Sequence, residues 1–410
     1  MIKNRQLDLN NPSFLYLIIH LFFITFKGVQ LFIFDSKISS NSFYDTFISL
    51  EDINYAIALA DISLIGFFVG FNFLKNSFVR RGNKLKSKFI VIVEERQGWM
   101  KFYLSVVVVL GFLGLLLYSF IPGIKNEEIE ATPLSIILSS LGIISSIILL
   151  YEYGFKLKYL LFFGVMIFIY SIQGSYRYRV VLPLLFVALY YLKTKNLKLL
   201  PIKFAILGFV FILLSFPLKE IGQAVQNGGD VDIVEITSHS FDEFLSGNSS
   251  DLQFIEQSAA MVSNIDAKGI VFYGTTYVPI LLFWIPRDYW PEKPRLNDWQ
   301  FEISTSGRDF GSMGQISLIS GESYANFRMF GVFLIPFFMG RFYSYLYYSY
   351  SNLPYNHKGF LLLLLYNMIL FQTWRDGLIS LILFPILNYL PLIVLYFIKK
   401  PKNSTSENSN

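Results

Sequence analysis

The sequence contains no cysteine and only three histidines among its 410 residues. The absence of cysteine excludes disulfides, thiolate metal ligands and a cysteine nucleophile. Three histidines, at positions 20, 239 and 357, are too few to suggest a histidine-rich metal site. Walker A, Rossmann, HExxH and GxSxG motifs are also missing. The sequence therefore offers no support for ATP-driven transport or for the common soluble-enzyme chemistries.

Charged residues are scarce as well. They make up 15% of the chain, against 54% hydrophobic residues and a mean hydropathy of +0.49. This balance excludes an ordinary soluble globular protein and indicates a membrane protein, because several apolar runs reach the roughly 20 residues that cross a bilayer. The net charge of +5 is modest, and the basic residues cluster beside apolar runs. That placement is typical of a topology signal, so we expect no nucleic-acid partner.

The hydropathy pattern predicts an all-α polytopic membrane protein with about ten transmembrane helices. The predicted helices cover residues 14–34, 53–74, 102–121, 133–151, 157–173, 178–192, 201–218, 323–343, 359–373 and 377–398. In domain terms, seven helices occupy 1–218, a large extracytoplasmic loop with short amphipathic or re-entrant helices occupies 219–322, three helices occupy 323–400, and 401–410 form a disordered cytoplasmic tail.

Charge predicts the orientation of these helices. Lysine and arginine cluster in three places that the positive-inside rule assigns to the cytoplasm, namely 75–96, 193–203 and 399–402. Acidic residues gather in the alternate connections, 35–52 and 127–130. Ten crossings with both termini in the cytoplasm satisfy all of these positions and place the long loop outside. The first apolar run lacks a cleavage site, so we interpret it as a retained helix.

Two local patterns give structural expectations. Lys27 and Asp61 lie at similar predicted depth, roughly 10–12 Å from the outer ends of the first two helices, so we expect an intramembrane ion pair. Ser250 and Gln253 have the spacing of a capping box, which predicts that a short helix starts at Ser250. Its apolar stripe would rest on the membrane or on neighbouring helices.

The segment 269–295 is the first candidate for a functional site. An aromatic, apolar run ends in a proline-stiffened stretch that carries Arg287, Lys293 and Arg295. Cations at the end of an apolar platform suit an anion attached to a lipid. The alternative is an interfacial or re-entrant segment, interrupted by Pro279, whose cations bind lipid headgroups.

Other charges are predicted to reach the same side of the membrane. Arg177 and Arg179 occupy a very short outer loop, against the positive-inside rule, either as an interface anchor or as a guanidinium clamp for phosphate. Arg375 precedes Asp376 in another short loop, either as a local ion pair or as a ligand contact. Glu322 stands at the outer start of the eighth helix, either as a helix cap or as a general base.

The topology thus places eight ionisable residues from four parts of the chain on the outer side. They predict a cationic cavity with one or two carboxylates. These residues are Arg177, Arg179, Arg287, Lys293, Arg295, Arg308, Glu322 and Arg375.

Three short stretches resemble the Wzy-type polymerases of O-antigen or oligosaccharide repeat units. They are 174–179 (GSYRYR), 285–294 (IPRDYWPEKP) and 321–327 (GESYANF). The second is the most specific of the three, and the helix pattern with one large outer loop extends the resemblance over nearly the whole chain. Arg328 departs from the family pattern, which often has glycine there. On a continuous helix it would lie about 120° from Glu322 and snorkel to the interface, or instead add a cation to the site.

The resemblance implies glycosyl transfer at the outer face of the bacterial cytoplasmic (inner) membrane. The donor would be a glycan on undecaprenyl diphosphate, and the acceptor a fresh lipid-linked repeat unit, with no metal or other cofactor. Membrane lipid, a chain-length regulator and a flippase are the implied partners. The product would be O-antigen or capsule. An O-antigen ligase, with His239 in the long loop, and a lipid-linked oligosaccharide flippase are the competing interpretations.

Roles for individual residues follow from that chemistry. Preplaced arginines can stabilise the charge that develops on a diphosphate leaving group, and a carboxylate can deprotonate the acceptor hydroxyl. We predict catalytic roles for Arg177, Arg179, Arg287, Glu322 and Arg375. We predict substrate contacts for Tyr273, Asp288, Tyr289, Trp290, Lys293, Arg295, Arg308 and Asn326, with Asp288 as the second candidate base and the aromatic rings stacking on sugar or lipid.

Overall fold

The structure, a computed structural model, is all-helical except for one pair of two-residue antiparallel strands. It describes residues 8–33, 40–41, 46–88, 97–120, 132–172, 178–197, 201–226, 232–246, 253–282, 284–285, 289–294, 296, 298–304, 316–353 and 357–389. Within these ranges the elements run α1 (Pro12–Ile33), β1 (Ser40–Asn41), β2 (Thr46–Phe47), α2 (Leu50–Asn72), α3 (Lys75–Lys88), α4 (Gln97–Phe120), α5 (Thr132–Tyr153), α6 (Leu157–Ile172), α7 (Tyr178–Thr194), α8 (Ile202–Gln226), α9 (Ile233–Ser246), α10 (Phe254–Lys268), a 3-10 turn (Thr275–Tyr277), α11 (Val278–Leu282), α12 (Asp298–Ile303), α13 (Leu318–Tyr350), α14 (Lys358–Asp376) and α15 (Leu378–Asn388).

Within the described ranges, each of the ten predicted apolar segments overlaps a helix, and the all-α class is confirmed. Among the described residues, two helices, α2 and α13, are long and apolar enough to cross a membrane by length and composition. These two support membrane association, while ten crossings and the outer loop stay predictions. The basic stretch after the second predicted span is a helix, α3, where the sequence suggested a loop.

The helices form two compact units. One comprises Met1–Ile92 and Phe168–Phe384, and the other comprises Val93–Ile167 and Pro385–Asn410. In the second unit α4 packs against α5, with the backbone of Gly111 close to Gly142. Every candidate site residue lies within the span of the first unit.

The first unit is built on close packing of α2 against α13. Backbone carbonyls of α13 lie against Gly66 and Gly70 of α2, and Gly340 of α13 lies against Phe67 in the same way. A Cβ at any of these glycines would overlap a backbone oxygen. Small residues at this spacing let two helix backbones approach closely, which is how helices associate in an apolar environment. Tyr16 of α1 completes the layer by stacking on Phe67, with ring centroids 4.3 Å apart.

Helix α10 is a core helix of this unit. Its residues from Phe254 to Val262 are all buried, and it packs against α2 and α13. The helix begins at Phe254 with Gln253 as its N-cap, and the Gln253 side chain makes no capping hydrogen bond. Ser250, the first residue of the predicted capping box, lies outside the described residues. The apolar stripe of α10 was expected to rest either on the membrane or on neighbouring helices, and in the structure α10 packs on neighbouring helices.

The predicted Lys27–Asp61 ion pair is also wrong. Asp61 Oδ1 shares a hydrogen bond with His20 Nε2 at 2.8 Å, while the Asp61 side chain is 57% exposed. Lys27 instead pairs with Glu256 of α10, and both side chains are buried. Depth along two neighbouring helices was the basis of the prediction. It failed because a third helix, α10, enters the core and brings a carboxylate closer.

Candidate functional site

The Glu322 carboxylate is the centre of the candidate site. Glu322 is fully buried in the second turn of α13. Its Oε2 accepts a hydrogen bond from the backbone N–H of Leu378, the first residue of α15, at 2.6 Å. A carboxylate is favoured there by the positive end of the α15 dipole. The capping interpretation therefore applies to another helix, not to α13, whose N-cap is Ser317.

The second carboxylate oxygen of Glu322 has no partner. Within the described part of the chain, Oε1 is buried and makes no hydrogen bond. An unsatisfied buried acceptor of this kind costs about 1–3 kcal/mol or more. A ligand with a donor, such as a hydroxyl, would recover that energy. The arrangement thus leaves Oε1 available for proton transfer while Oε2 is held by the protein.

Gly377 makes this arrangement possible. It has φ 87° and ψ −166° and joins α14 to α15. A Cβ at this position would overlap the Glu322 carboxylate. Both the positive φ and the close approach of the carboxylate therefore require glycine. The sequence contains the turn signal Asp376–Gly377, but nothing in it links this turn to Glu322.

Asn326 fixes the neighbouring backbone. Its Oδ1 accepts hydrogen bonds from Gly274 N at 3.0 Å and from Thr276 Oγ1 at 3.1 Å. Its Nδ2 donates to Glu322 O at 2.9 Å, as expected for residues four apart on one helix face. Tyr273 N also donates to Asn326 O at 3.0 Å. The buried amide thereby ties the start of the predicted lipid-facing segment to the Glu322 helix.

Tyr277 adds a hydrogen-bond donor near Glu322. Burial raises the pKa of the Tyr277 phenol, and the nearby Glu322 carboxylate raises it further, while Asn326 opposes the shift. The phenol therefore stays protonated across the physiological range. A neutral phenol beside a carboxylate can donate to a bound hydroxyl or to the carboxylate itself. No motif in the sequence indicates a role for Tyr277.

Arg375 supplies a cation close to this corner. Its Nε lies 3.5 Å from Oδ1 of Asp376, which is longer than a good hydrogen bond, and its guanidinium lies over the Phe254 ring at 5.7 Å. The side chain is only 19% exposed, and no hydrogen bond to the described residues occupies its fork. Asp376 also accepts a hydrogen bond from Gln372, and its charge acts on Glu322. Arg375 also lies three residues before Leu378, whose N–H binds the Glu322 carboxylate.

Arg328 lies at a kink in α13, and its side chain contacts α10 instead of extending toward the membrane–water interface. The backbone leaves helical geometry at Phe327 (φ −140°, ψ 20°) and at Arg328 (φ 53°, ψ −149°). The guanidinium pairs with Asp266, donates to Ile270 O at 3.0 Å and lies over the Tyr324 ring at 5.1 Å. The expectation of snorkelling assumed a continuous helix. It is wrong because the kink rotates Arg328 toward α10.

The remaining predicted residues divide into those whose side chains the structure describes and those whose side chains lie outside the described structure. Tyr273, Tyr289 and Trp290 are exposed, and Lys293 Nζ donates to Ile285 O at 2.8 Å. None of these four contacts Glu322 or Arg375 through a hydrogen bond or ring contact that the structure gives. Arg179 lies in the first turn of α7, and its side chain is outside the described structure. The residues that lie wholly outside the described ranges are Arg177, Arg287, Asp288, Arg295 and Arg308.

Chemically, the described corner combines a buried carboxylate with one free oxygen, a protonated phenol and a largely buried guanidinium. Such a set can deprotonate a hydroxyl and stabilise an anion. Over the described ranges, no three His, Asp or Glu side chains are grouped as a metal site would require. The expectation of metal-free chemistry stays a prediction.

Comparison with known proteins yielded no match. No family model, no curated protein and no solved structure is similar to this chain at a significant level. The function must therefore be argued from the residues and their geometry.

Proposed function

We propose that the protein polymerises undecaprenyl-diphosphate-linked oligosaccharide repeat units into a surface polysaccharide, O-antigen or capsule, at the outer face of the cytoplasmic membrane. One observation carries the proposal. Glu322 has one carboxylate oxygen that no described residue binds, while its other oxygen binds the N–H of Leu378. Arg375 lies three residues before Leu378, and no described residue hydrogen-bonds to its guanidinium fork. A general base and an anion-stabilising cation are the two groups that this transfer needs without a cofactor.

The proposed reaction is a displacement at the anomeric carbon of the donor glycan. The acceptor hydroxyl oxygen forms a bond to that carbon, and its proton passes to Glu322 Oε1. The bond between the anomeric carbon and the diphosphate oxygen breaks, and undecaprenyl diphosphate leaves with the electron pair. Arg375 stabilises the charge on the departing oxygen. Arginines at 177, 179 and 287 are the further cations that the resemblance suggests for the same anion.

A charge-assisted hydrogen bond contributes about 1.5–3 kcal/mol. Two or three such contacts therefore supply several kcal/mol of the roughly 8 kcal/mol or more that an enzyme must provide. Arginine suits the task because its planar fork matches phosphate oxygens and stays charged at any physiological pH. The magnitude supports arginine contacts as a substantial part of the catalysis.

The proposal includes the predicted membrane arrangement. Ten crossings would place both termini in the cytoplasm and the 219–322 stretch outside, where lipid-linked repeat units become available. The apolar helices α2 and α13 support this membrane setting. A chain-length regulator and a flippase are the proposed partners, and the flippase would deliver the substrate.

Deletion of the gene followed by complementation tests the function. Loss of a polymerase leaves surface lipid capped with a single repeat unit. Loss of a ligase leaves the lipid core without any repeat unit, and loss of a flippase leaves no repeat unit at the outer face. The electrophoretic ladder of surface glycan therefore separates the polymerase from the other two activities, and surface lipid without any repeat unit would overturn the proposal.

Point variants test the site. We expect Glu322→Gln and Arg375→Ala to express at the wild-type level and to leave single repeat units. The glutamine keeps an acceptor for the Leu378 N–H, so it removes the base while retaining the cap. Arg341→Ala is a matched control, because Arg341 lies further along α13 against Phe73 and Phe78. Long chains from both site variants would rule out the proposed roles.

A further inference from the structure

The buried Lys27–Glu256 pair is incompletely satisfied. Both side chains are at least nine-tenths buried, and Lys27 Nζ contacts Glu256 Oε1. Glu256 Oε2 has no hydrogen-bond partner within the described chain. An ammonium group has three N–H donors, and the structure gives Lys27 one acceptor. Buried pairs balance their desolvation only when their remaining donors and acceptors are also bonded, so this pair points to a missing ligand.

The register of α1 against α14 places Lys27 at the level of the candidate site. Asn367 Nδ2 donates to Asn10 O at 2.8 Å near the start of α1. About two turns further along α14 and about three and a half turns further along the chain of α1, Phe23 stacks on Trp374 with ring centroids 5.2 Å apart. The two helices therefore run in the same direction. Lys27 is one turn beyond Phe23, which brings it level with the end of α14 and the Gly377 junction.

The same aromatic cluster separates Lys27 from Arg375. Phe23, one turn before Lys27, lies 4.8 Å from Phe254 between ring centroids, and the Arg375 guanidinium lies over the Phe254 ring. Glu256, the partner of Lys27, is two residues from Phe254 on α10. The two cations thus flank one short stretch of α10, and each keeps donors that no described residue accepts.

We propose that Lys27 is a second cation for the diphosphate group, opposite Arg375, and that Glu256 is its counterion in the unliganded protein. This inference rests on the proposed function. It gives Lys27 a role in substrate binding that neither the sequence motifs nor the resemblance indicates. A diphosphate has oxygens enough to contact both cations. The free N–H donors of Lys27 bind one phosphate oxygen while Glu256 stays beside it.

The role of Glu256 has a testable sign. Its negative charge steadies Lys27 but repels an incoming diphosphate. Removing that charge should therefore tighten binding, whereas removing the Lys27 charge should weaken it. A pair that served only to hold α1 against α10 would lower stability in both variants and leave ligand affinity unchanged.

The experiment is calorimetric titration of the purified full-length protein in nanodiscs with farnesyl diphosphate. We expect Lys27→Gln to bind at least about tenfold more weakly than wild type and Glu256→Gln to bind about tenfold more tightly, the scale of one charge-assisted contact. In the double variant Lys27→Gln/Glu256→Gln the gain should disappear. Inorganic diphosphate as a second probe separates recognition of the free anion from recognition of a lipid diphosphate.

The outcomes separate this inference from the proposed function. If Arg375→Ala binds like wild type, the proposed diphosphate site itself fails. If Arg375→Ala loses affinity while the Lys27 and Glu256 variants bind normally, only the role of Lys27 is overturned. Should Lys27→Gln not fold, Lys27→Met/Glu256→Leu removes both charges at similar volume. We expect Lys27→Met/Glu256→Leu to bind farnesyl diphosphate less tightly than Glu256→Gln does. If it bound as tightly as Glu256→Gln, the role of Lys27 would be contradicted.

Discussion

At the scale of single residues, strain is concentrated around Glu322. Tyr273, Leu318 and Arg328 all have φ near 50°, and they belong to the elements that surround this carboxylate. A left-handed conformation at a non-glycine residue costs about 1–3 kcal/mol and persists only where surrounding contacts enforce it. Here the enforcing contacts are the hydrogen bonds of Asn326 and the Arg328–Asp266 pair. Such strain is typical of a functional site held in one geometry.

Gly377 provides a direct test of that geometry. We expect Gly377→Ala to lower the free energy of unfolding by about 1–3 kcal/mol in addition to the cost of placing alanine at a positive φ, because the new methyl group overlaps the Glu322 carboxylate. We also expect the variant to lose glycan polymerisation. The measurement is melting temperature together with the surface glycan ladder.

The matched control for that substitution is Gly154→Ala. Gly154 also has positive φ, 77°, but nothing lies within 4 Å of the position that an alanine methyl group would take there. The variant should lose only the backbone contribution, about 1–2 kcal/mol, and keep full activity. Equal effects of the two substitutions would show that the overlap with Glu322 does not matter.

At the scale of elements, α13 combines two functions in one helix. Its first turns hold Glu322 and Asn326, and the part after the kink packs on α2 through Gly66, Gly70 and Gly340. The kink lets each part take its own direction, and the Arg328–Asp266 pair holds the bend against α10. The position of Glu322 therefore depends on the α2–α13 contact even though none of these glycines touches it.

Gly70→Ala is expected to disrupt that helix contact. Its methyl group would overlap the Phe337 carbonyl oxygen, and overpacking of this kind costs about 1–3 kcal/mol. We expect a lower melting temperature and a lower yield of folded protein in detergent. Gly208→Ala in α8 is the control, since no atom of the described residues lies within 4 Å of the added methyl position and alanine favours helix. If Gly70→Ala matched this control, close packing of α2 on α13 would not be what stabilises the unit.

At the scale of the whole molecule, the stretch between the seventh and eighth predicted helices does more than form a loop. It contributes α10, which is buried among α2 and α13, and it contributes Glu256 as the partner of Lys27. The parts of the first unit are therefore interdependent, and the candidate site is built from α10, α13, α14, the first residue of α15 and the 272–277 segment. Substrate specificity and helix packing should be difficult to separate in variants of α10.

The absence of cysteine makes the predicted topology directly testable. We expect Ser238→Cys, on an exposed position of α9, to react with a membrane-impermeant maleimide in intact spheroplasts. Asn76→Cys, exposed on the basic helix α3, should react only after the membrane is permeabilised. Labelling of Asn76→Cys in intact spheroplasts would contradict the positive-inside assignment and the proposed outer site.

The sequence by itself determined the helical class and the positions of the apolar segments, because hydropathy and helix propensity are local properties. It also indicated Glu322, Asn326 and Arg375 as candidate functional residues, because polar groups in apolar surroundings are costly unless they are paired or functional. Only the tertiary structure decided their partners. Four contacts join positions that are dozens of residues or more apart in the sequence. They are the hydrogen bond from Leu378 N–H to Glu322, the close approach of Gly377 to the Glu322 carboxylate, the Lys27–Glu256 pair and the Arg328–Asp266 pair. Such contacts depend on which helix enters the core and where α13 kinks, and no local pattern encodes either.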